Sequence, residues 1–555
     1  MSGSQSFNIA AHLPAMAAQQ PTTAAVHFPY KHDKNNQVFY QTLTYAELEQ
    51  QSNHIAAGLE SIGIKRGVRT VLMVKPSLDF FALTFALFKV GAVPILIDPG
   101  MGVKNLKVCL AEADPEAFVG IPKAHVARVL LGWGKTTLRT FLTIGPRFFW
   151  GGITLKKLLQ TVVKTHHFET VATAEDETAA ILFTSGSTGV PKGAVYSHGN
   201  FIAQVNALKQ AYQIEPGEID LPTFPLFALF APALGMTSVI PEMDFTRPGS
   251  VNPENIITAI KRFNVTTMFG SPALIRRVGL YGENKGVNLP SLKRVISAGA
   301  PVPAGELQRF TQMLSPGIQI FTPYGATESL PVCSIGSDEI LRETRFLTDQ
   351  GQGVCLGFPV SSIQLAIIEI NDHEIPFWQD NLMVAAGEVG EIVVKGPQVT
   401  RAYFNRPEST RLAKIPVADE HNFFHRMGDL GYLDQQGRVW FCGRKSHRVV
   451  TSQKTLFTIP CEAVFNTHKK VFRTALVGVG AEEEKQPVLC IELEKQLSDG
   501  EQKQLIEELK DIAQKHEMTK CIHQFLIHPQ FPVDIRHNAK IFREKLSSWA
   551  EERLS

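Results

Sequence analysis

Short apolar runs alternate with amphipathic stretches from residue 40 to residue 440, and this alternation constrains the fold more than any other feature. Each apolar run is short and rich in Val and Ile, as buried strands are. Strands that alternate with helices predict an α/β fold with mostly parallel sheets flanked by helices. The strand-like runs are 70–74, 92–97 and 392–394, and the helix-like stretches are 45–62 and 256–263.

The length of the chain predicts more than one domain. A single hydrophobic core does not grow to the 555 residues present here. A polar, turn-forming segment around Gly443-Arg444-Lys445-Ser446 separates a long α/β body from a tail with two strand-like runs and one helix. We therefore expect a large N-terminal domain over 1–445 and a small α+β domain over 446–555.

Composition excludes several classes of function. The formal net charge of +2 gives no reason to expect nucleic acid as a partner. Seven scattered cysteines without a CxxC pair predict reduced thiols in a cytoplasmic protein. The start of the chain lacks the pattern of a signal peptide. The apolar segment 221–241 contains four prolines, which favours a buried core segment over a membrane span.

A Ser/Thr/Gly-rich loop follows the strand-like run 179–183 and reads Thr-Ser-Gly-Ser-Thr-Gly-Val-Pro-Lys-Gly over 184–193. Backbone N–H groups and hydroxyls in such a loop can surround phosphate oxygens, although solvated turns have a similar composition. The loop is not a Walker A motif, because Gly193 and a strand-like run follow Lys192. The candidate phosphate-binding residues are Thr184, Ser185, Gly186, Ser187, Thr188, Gly189 and Lys192.

Further motifs follow this loop in a fixed order. They read Ser-Ala-Gly-Ala-Pro at 297–301, Phe-Thr-Pro-Tyr-Gly-Ala-Thr-Glu at 321–328, His-Arg-Met-Gly-Asp-Leu-Gly at 425–431, Gly-Arg at 443–444 and Asp-Ile-Arg-His-Asn-Ala-Lys-Ile at 534–541. Together with 184–193, this series resembles the adenylate-forming superfamily of acyl-CoA synthetases, peptide-synthetase adenylation domains and luciferases. The resemblance spans nearly the whole chain and implies a large adenylate-forming domain, a mobile C-terminal lid domain, and ATP and Mg²⁺ as cofactors.

The resemblance also implies a role for each motif. Thr327 would contact the α-phosphate, Glu328 with Thr188 would hold Mg²⁺, and Lys540 would be the mobile catalytic lysine. These residue types suit hydroxyl, hard-cation and phosphoryl chemistry respectively. His198, after the phosphate loop, is a candidate base, and a neutral structural histidine is the alternative. The implied adenine and ribose residues are Gly299, Ala300, Pro301, Tyr324, Gly325, Asp429 and Arg444.

The chain departs from the superfamily pattern after the hinge. Ser446 and His447 replace the usual hinge residues, and 449–460 contains no glycine. Without glycine, the backbone cannot approach a thiol carrier as closely, so we expect a second half-reaction without an external thiol. The segment 225–228 also reads Pro-Leu-Phe-Ala, where the superfamily usually has Pro-Leu-Phe-His.

Segments 443–449 and 536–546 resemble the bacterial olefin β-lactone synthetases. This resemblance implies ATP-dependent activation of a long-chain 2-alkyl-3-hydroxy fatty acid, followed by closure to a β-lactone, in olefin biosynthesis. A long-chain acyl-CoA or acyl-carrier synthetase and a non-catalytic acyl-binding scaffold are the alternatives. Residues 224–230 and 269–272 are candidate walls of an alkyl pocket, or else ordinary core segments.

Aromatic and basic residues alternate in segment 128–155. One interpretation is an irregular excursion packed on the large domain. The other is a contact surface for a membrane or a partner protein, such as another enzyme of a hydrocarbon pathway. The residues concerned are Trp133, Lys135, Arg139, Phe141, Arg147, Phe148, Phe149 and Trp150.

Overall fold

A computed structural model describes residues 7–32, 34, 37–164, 167–183, 191–224, 227–418, 422–482, 484–533 and 540–554. Within this part of the chain, two sheets with helices on both faces form the large region, and a small α+β region follows. The expected α/β class is therefore confirmed.

The first sheet carries both ends of the predicted phosphate loop. Thr178–Phe183 leads into the loop and Gly193–Ser197 leaves it as the antiparallel partner strand. The strands on the other side of Thr178–Phe183 are all parallel. In spatial order, the sheet consists of Ala402–Tyr403, Gly193–Ser197, Thr178–Phe183, Val93–Leu96, Arg69–Met73, Ala117–Gly120, Thr140–Thr143 and Ile153–Thr154.

The second sheet has a parallel half and an antiparallel half. In the spatial order of the sheet, the strands from Ala24–His32 to Ile320–Ala326 pair in parallel, and Val38–Thr44 joins Ala24–His32 as an antiparallel edge strand. The strands after residue 328 are antiparallel, an addition to the mostly parallel sheets that the sequence predicts. In spatial order, the sheet consists of Gln364–Ile368, Gly390–Lys395, Phe423–Leu433 (also paired with Lys414–Pro416), Val439–Arg444, Val354–Pro359, Ser329–Gly336, Ile320–Ala326, Arg294–Ile296, Thr267–Phe269, Ile219–Pro222, Thr237–Val239, Ala24–His32 and Val38–Thr44.

Local capping chemistry determines where many of the helices begin. Thr44 and Glu47 form a capping box at the start of Tyr45–Ser61, and Ser197 with Asn200 does the same for His198–Tyr212. The helices of the large region are His12–Gln19, Tyr45–Ser61, Leu78–Lys89, Val103–Ala113, Pro122–Leu131, Leu155–Thr161, His198–Tyr212, Ala231–Leu234, Pro253–Phe263, Pro272–Lys285, Ala304–Thr311, Ser337–Glu339, the π-helical turn Ile340–Thr344, Arg345–Asp349 and Pro407–Ala413.

The main hydrophobic core lies between the two sheets. It combines side chains of the first sheet, such as Leu72 and Val119, with Val26 of the second sheet. Helix Leu78–Lys89 fills this space and is buried from Phe80 onward. Lys89 at its end is fully buried, and its Nζ donates to Glu49 Oε2 at 2.6 Å and to Asn53 Oδ1 at 2.5 Å.

The described helices include none that is long and apolar enough to span a bilayer.

The C-terminal region has its own sheet and its own cores. Val471–Val479 pairs antiparallel with Gln486–Leu493, which pairs in parallel with Gln524–Ile527. A short hairpin of Val449–Val450 and Thr455–Leu456 precedes this sheet. The helices of the region are Thr458–Asn466, Asp499–Lys515 and Arg543–Leu554. The domain boundary at Ser446 stays a prediction.

A buried carboxylate joins the antiparallel half of the second sheet to the hinge. Glu391 Oε2 lies 2.6 Å from Arg426 Nη2 and 3.1 Å from Lys445 Nζ. The side chains of Glu391 and Arg426 are 1% and 3% exposed. This ion-paired group is important for stability, because loss of one partner leaves the remaining charges buried without compensation.

We expect Glu391→Gln to cost about 3–5 kcal/mol of stability, because Arg426 and Lys445 would lose their shared carboxylate. The measurement is the midpoint of thermal unfolding. Glu374→Gln is the matched control, since Glu374 and Arg411 form an exposed pair worth about 1 kcal/mol or less. Equal midpoint shifts for the two variants would contradict the assigned importance of Glu391.

Candidate functional site

One cavity of about 2170 Å³ gathers the predicted site residues that the structure describes, with the exception of His198. It lies beyond the carboxyl ends of the parallel strands, where α/β sheets generally bind ligands, and it extends to the C-terminal region. Predicted residues from widely separated segments therefore line one space. They are Lys192, Gly299, Ala300, Pro301, Tyr324, Gly325, Thr327, Glu328, Asp429, Arg444 and Lys540.

Two glycines allow the backbone to form the predicted adenine side of the cavity. Gly299 follows strand Arg294–Ile296 and has φ +101°, a conformation that other residues rarely adopt. A Cβ at Gly325 would lie only 2.7 Å from the carbonyl oxygen of Ser329. Because neither position tolerates a side chain, a flat base could approach the backbone closely here.

Asp429 and Arg444 meet because their strands pair in register. Asp429 in Phe423–Leu433 lies opposite Arg444 in Val439–Arg444, and Oδ1 of Asp429 is 3.1 Å from Nη1 of Arg444. Tyr324 donates its hydroxyl to Oδ2 of Asp429 at 2.6 Å. Although Oδ1 of Asp429 lies within ion-pair distance of Arg444, this buried atom accepts no hydrogen bond from the described residues. A sugar hydroxyl would satisfy this acceptor, so the geometry fits the predicted ribose site.

The titration behaviour of this group reflects its burial. Burial raises the pKa of the Asp429 carboxyl, while the positive charges of Arg444 and Lys540 act in the opposite direction. Burial and the nearby Asp429 carboxylate raise the pKa of Tyr324 well above its ordinary value, so the phenol stays protonated and donates. Lys540 and Asp429 both line the cavity, so the C-terminal lysine shares this space with the predicted ribose site.

The phosphate end of the cavity is described on one side. Residues Thr184, Ser185, Gly186, Ser187, Thr188 and Gly189 lie outside the described residues, and their roles stay predictions. Lys192 is described, and its Nζ lies 5.0 Å from the centroid of the Tyr403 ring. Thr327 accepts a hydrogen bond on its carbonyl oxygen from the Tyr196 hydroxyl at 2.5 Å.

The donor set fits Mg²⁺ that is shared with phosphate groups. Glu328 lines the cavity and its Oε1 accepts a hydrogen bond from the Tyr403 hydroxyl at 2.7 Å. Protein sites commonly hold Mg²⁺ with one or two carboxylates plus substrate phosphates. The described residues contain no cluster of three or more metal-ligating side chains, so a dedicated protein cage is not present among them.

The structure corrects the candidate role of His198. This side chain is buried and does not line the cavity. Its Nδ1 accepts a hydrogen bond from the backbone N–H of Ile9 at 3.2 Å, and burial lowers its pKa to about 4. A base that is sealed in the core cannot reach a substrate hydroxyl. The alternative of a neutral structural histidine is the one that the geometry supports.

Three cavity-side residues escaped the sequence analysis as candidates for chemistry. Tyr403 is 75 residues from Glu328, and the pairing of Ala402–Tyr403 with Gly193–Ser197 brings it to the site. His447 lines the cavity, and its buried Nε2 has no hydrogen-bond partner among the described residues. Lys414 lies behind Glu328. No motif marks Tyr403 or Lys414, because their positions depend on strand pairing. His447 lies in the hinge segment 443–449, where the sequence shows it only as a departure from the usual hinge residues.

The predicted alkyl walls line the cavity only in part, and the glycine-free segment contributes little. Pro225 and Leu226 lie outside the described residues. Of the segment 449–460, which is fully described, only Thr458 and Ile459 line the cavity. From the predicted walls, the lining residues are Phe224, Phe227, Leu229, Phe230, Phe269 and Ser271.

Lys414 is a buried cation beside the site. Its Nζ donates to the carbonyl oxygen of Thr400, whose own N–H and hydroxyl donate to the carbonyl oxygen of Glu328. Burial lowers the pKa of Lys414 to about 7, opposed by the Glu328 charge. An unfolded lysine has a pKa of about 10.4. Between these two values the unfolded chain binds more protons, so unfolding becomes less favourable as pH rises.

We expect the thermal midpoint of the wild type to rise relative to that of Lys414→Met between about pH 6 and about pH 9. Below the folded-state pKa, the cost of burying the ammonium is fully present, and it is relieved as the pH passes through that value. The same substitution at the exposed Lys157 controls for the loss of a lysine. A gap between wild type and Lys414→Met that is constant over this pH range would contradict the prediction.

Comparison with known proteins agrees with this geometry. The family model described as AMP-binding enzyme matches residues 13–404. An olefin β-lactone synthetase of Stenotrophomonas maltophilia is 50% identical over 552 residues, covering 99% of this chain and 98% of the relative. The olefin β-lactone synthetase of Xanthomonas campestris pv. campestris is 49% identical over 549 residues, covering 98% of each chain.

A solved structure of another enzyme has the same fold as this chain. The O-succinylbenzoate coenzyme A synthetase of Bacillus subtilis, solved in complex with AMP, superposes with a TM-score of 0.73 at 20% identity and covers 96% of this chain and 97% of its own. At that identity the likeness shows a shared fold. The family model and the two full-length relatives go further: this chain belongs to the AMP-binding enzymes, in the same family as the olefin β-lactone synthetases.

Proposed function

We propose that this enzyme uses ATP and Mg²⁺ to activate a long-chain 2-alkyl-3-hydroxy fatty acid and then closes it to a β-lactone, releasing AMP and pyrophosphate. One observation carries the proposal. A single cavity joins the nucleotide-side residues Asp429, Arg444 and Lys540 to the apolar walls at Phe227 and Phe269. Nucleotide chemistry and a long acyl chain thus meet in one space, in a chain that belongs to the family of olefin β-lactone synthetases.

In the first step, a carboxylate oxygen of the acid attacks the α-phosphorus of ATP, and pyrophosphate leaves. Lys192 would bind the departing phosphates together with the loop 184–189. Lys540 would offset charge that develops on the α-phosphate, which is the main contribution a protein makes to such a transfer. Arg444 and Asp429 would hold the sugar and so fix the position of the phosphorus.

In the second step, the 3-hydroxyl oxygen forms a bond to the acyl carbon, and the bond between that carbon and the phosphate oxygen breaks. AMP leaves with the bonding electrons. Its phosphate, with a second pKa of about 6, can accept the hydroxyl proton. Because nucleophile and electrophile belong to one molecule, no second substrate has to be ordered. The apolar walls would exclude water, which otherwise hydrolyses the adenylate.

Mg²⁺, when bound, would supply positive charge to the phosphates. Glu328 would be its described protein ligand, with Thr188 as the predicted second one. Tyr403 would orient Glu328 through the hydrogen bond to Oε1. Hydrogen bonds of this kind fix the orientation of a metal-binding carboxylate.

We expect Tyr403→Phe to raise the Mg²⁺ concentration for half-maximal pyrophosphate–ATP exchange by about tenfold or more, because Glu328 would lose its orienting hydrogen bond. Tyr432→Phe is the matched control. The Tyr432 hydroxyl donates to the carbonyl oxygen of Gln352, and Tyr432 does not line the cavity. An unchanged Mg²⁺ dependence in Tyr403→Phe would remove Tyr403 from the metal site.

The proposed reaction predicts a lactone in the absence of coenzyme A. The enzyme is incubated with ATP, Mg²⁺ and a racemic 2-alkyl-3-hydroxy acid, and the products are identified by mass spectrometry. We expect β-lactone and AMP in equal amounts. In Lys540→Ala most adenylation should be lost while ATP binding is retained.

The alternatives give different products. Thioester that forms only with coenzyme A would establish an acyl-CoA synthetase, and AMP without lactone would exclude lactone closure. No exchange of pyrophosphate with any hydroxy acid would favour the acyl-binding scaffold. The position of residues 449–457 outside the cavity supports a reaction without a thiol acceptor.

Different residues of the segment 128–155 fit the two interpretations, a packed excursion and a contact surface. Trp133 and Trp150 are buried, as expected of a packed excursion. Phe148 and Phe149 are 62% and 72% exposed and lie beside Arg147. We propose these two phenylalanines as the part of the segment available for contact with other hydrocarbon-pathway enzymes or with a membrane surface.

A further inference from the structure

We propose that the cavity has two apolar arms, one on each face of the first sheet, and that each arm takes one of the two alkyl chains of the substrate. The inference rests on the proposed function and goes beyond it, because it assigns separate residues to the chain on C2 and to the chain on C3.

The cavity wraps around the carboxyl ends of three neighbouring parallel strands. Consecutive residues of a strand point to opposite faces of a sheet. At each of these strand ends, two consecutive residues line the cavity, and one packs in the core between the sheets while the other packs in the outer core. The pairs are Leu72 and Met73, Leu96 and Ile97, and Leu182 and Phe183. Apolar space therefore extends along both faces from one edge.

The first arm, called here the phenylalanine arm, enters the core between the two sheets. Its walls come from helices Leu78–Lys89, His198–Tyr212 and Ala231–Leu234 and from the short helix Phe227–Phe230. Ala233 has a small side chain among larger ones, so a larger residue at this position would narrow the arm. The lining residues are Phe80, Phe85, Phe88, Phe201, Phe230 and Ala233.

The second arm, called here the tryptophan arm, enters the outer core on the opposite face. Its walls come from helices Val103–Ala113 and Pro122–Leu131 and from the turn that follows Pro122–Leu131. Ala124 and Ala127, three residues apart, lie on one face of that helix, and both line the cavity with Trp133. The lining residues are Ile97, Met101, Leu106, Ala124, Ala127 and Trp133.

The substrate has the shape that two diverging arms accommodate. Its alkyl chains leave from adjacent carbons, C2 and C3, while the carboxyl group on C2 must reach the α-phosphate. A single straight tunnel would hold one chain and leave the other in water, at a cost for every exposed methylene.

The test uses two matched substitutions, Ala233→Phe in the phenylalanine arm and Ala127→Phe in the tryptophan arm. Four racemic acids serve as substrates: octyl chains on both carbons, methyl in place of the chain on C2, methyl in place of the chain on C3, and methyl on both. kcat/KM is measured by pyrophosphate–ATP exchange and by lactone formation. Each variant should lose about tenfold or more with the acids that carry the octyl chain its arm holds.

The decisive result is reciprocal selectivity. We expect one variant to discriminate against an octyl chain on C2 and the other against an octyl chain on C3, each measured relative to the activity of the same variant on the dimethyl acid. Activity on that short acid shows that each variant folds, and Ala233→Leu and Ala127→Leu repeat the test with smaller side chains. Two variants that discriminate against the same chain, or fold and discriminate against neither, would overturn the proposal.

The proposed function fails differently. If the wild type exchanges pyrophosphate with these acids but forms no lactone, lactone closure is excluded, and the exchange rates still test the two arms. The two variants could also discriminate between octyl and methyl chains only in lactone formation and not in pyrophosphate–ATP exchange. Both substitutions would then act on the closure step and not on substrate binding, which would contradict separate binding arms.

Discussion

The register between two antiparallel strands is the constraint on which the site depends. Phe423–Leu433 and Val439–Arg444 pair so that Asp429 faces Arg444. A slip of one residue in either strand would turn the side chains of that strand to the opposite face and so separate Asp429 from Arg444. Glu391, on the next strand, holds Arg426 and Lys445 in one buried group and ties this register to the hinge. The geometry of the predicted ribose site therefore depends on sheet pairing and on one shared carboxylate.

Burial gives these charged groups their chemical character. Tyr324 stays protonated beside Asp429 because burial and the carboxylate both raise its pKa, so it donates a hydrogen bond throughout the physiological range. Tyr403 donates in the same way to Glu328. Each carboxylate on the nucleotide side is thus oriented by a tyrosine from another segment. In a cavity with apolar walls, such fixed donors act more strongly than they would in water.

The placement of the cavity suits a reaction in two steps at one location. Both sheets contribute strand ends, and the C-terminal region contributes Lys540 together with Thr458 and Ile459. A substrate that carries its own nucleophile needs no passage for a second reactant. The hairpin formed by Val449–Val450 and Thr455–Leu456 packs with the C-terminal sheet, with Lys485 N–H donating to the Val450 carbonyl oxygen. The hairpin lies outside the cavity, as expected for an enzyme that needs no passage for a second reactant.

The alternation of apolar runs and amphipathic stretches was enough to predict the α/β class. The family resemblance of the ordered motifs pointed to residues that line one cavity, Lys540 among them, because each motif is a local string that can be read without the fold. The helix-like and strand-like runs also match observed elements, since periodicity records which face is buried. The sequence did not distinguish a catalytic His198 from a buried one, because burial depends on Ile9 and Phe88, far away in the chain.

Tertiary structure alone decided the rest. Tyr403 reaches Glu328 only through the pairing of Ala402–Tyr403 with Gly193–Ser197, and Lys414 becomes a buried cation only once that part of the chain has folded. The two arms exist because consecutive residues at the strand ends face different cores. Local strings determine which chemistry is available, whereas long-range pairing determines which groups meet, because contact energies depend on distances that no single segment specifies.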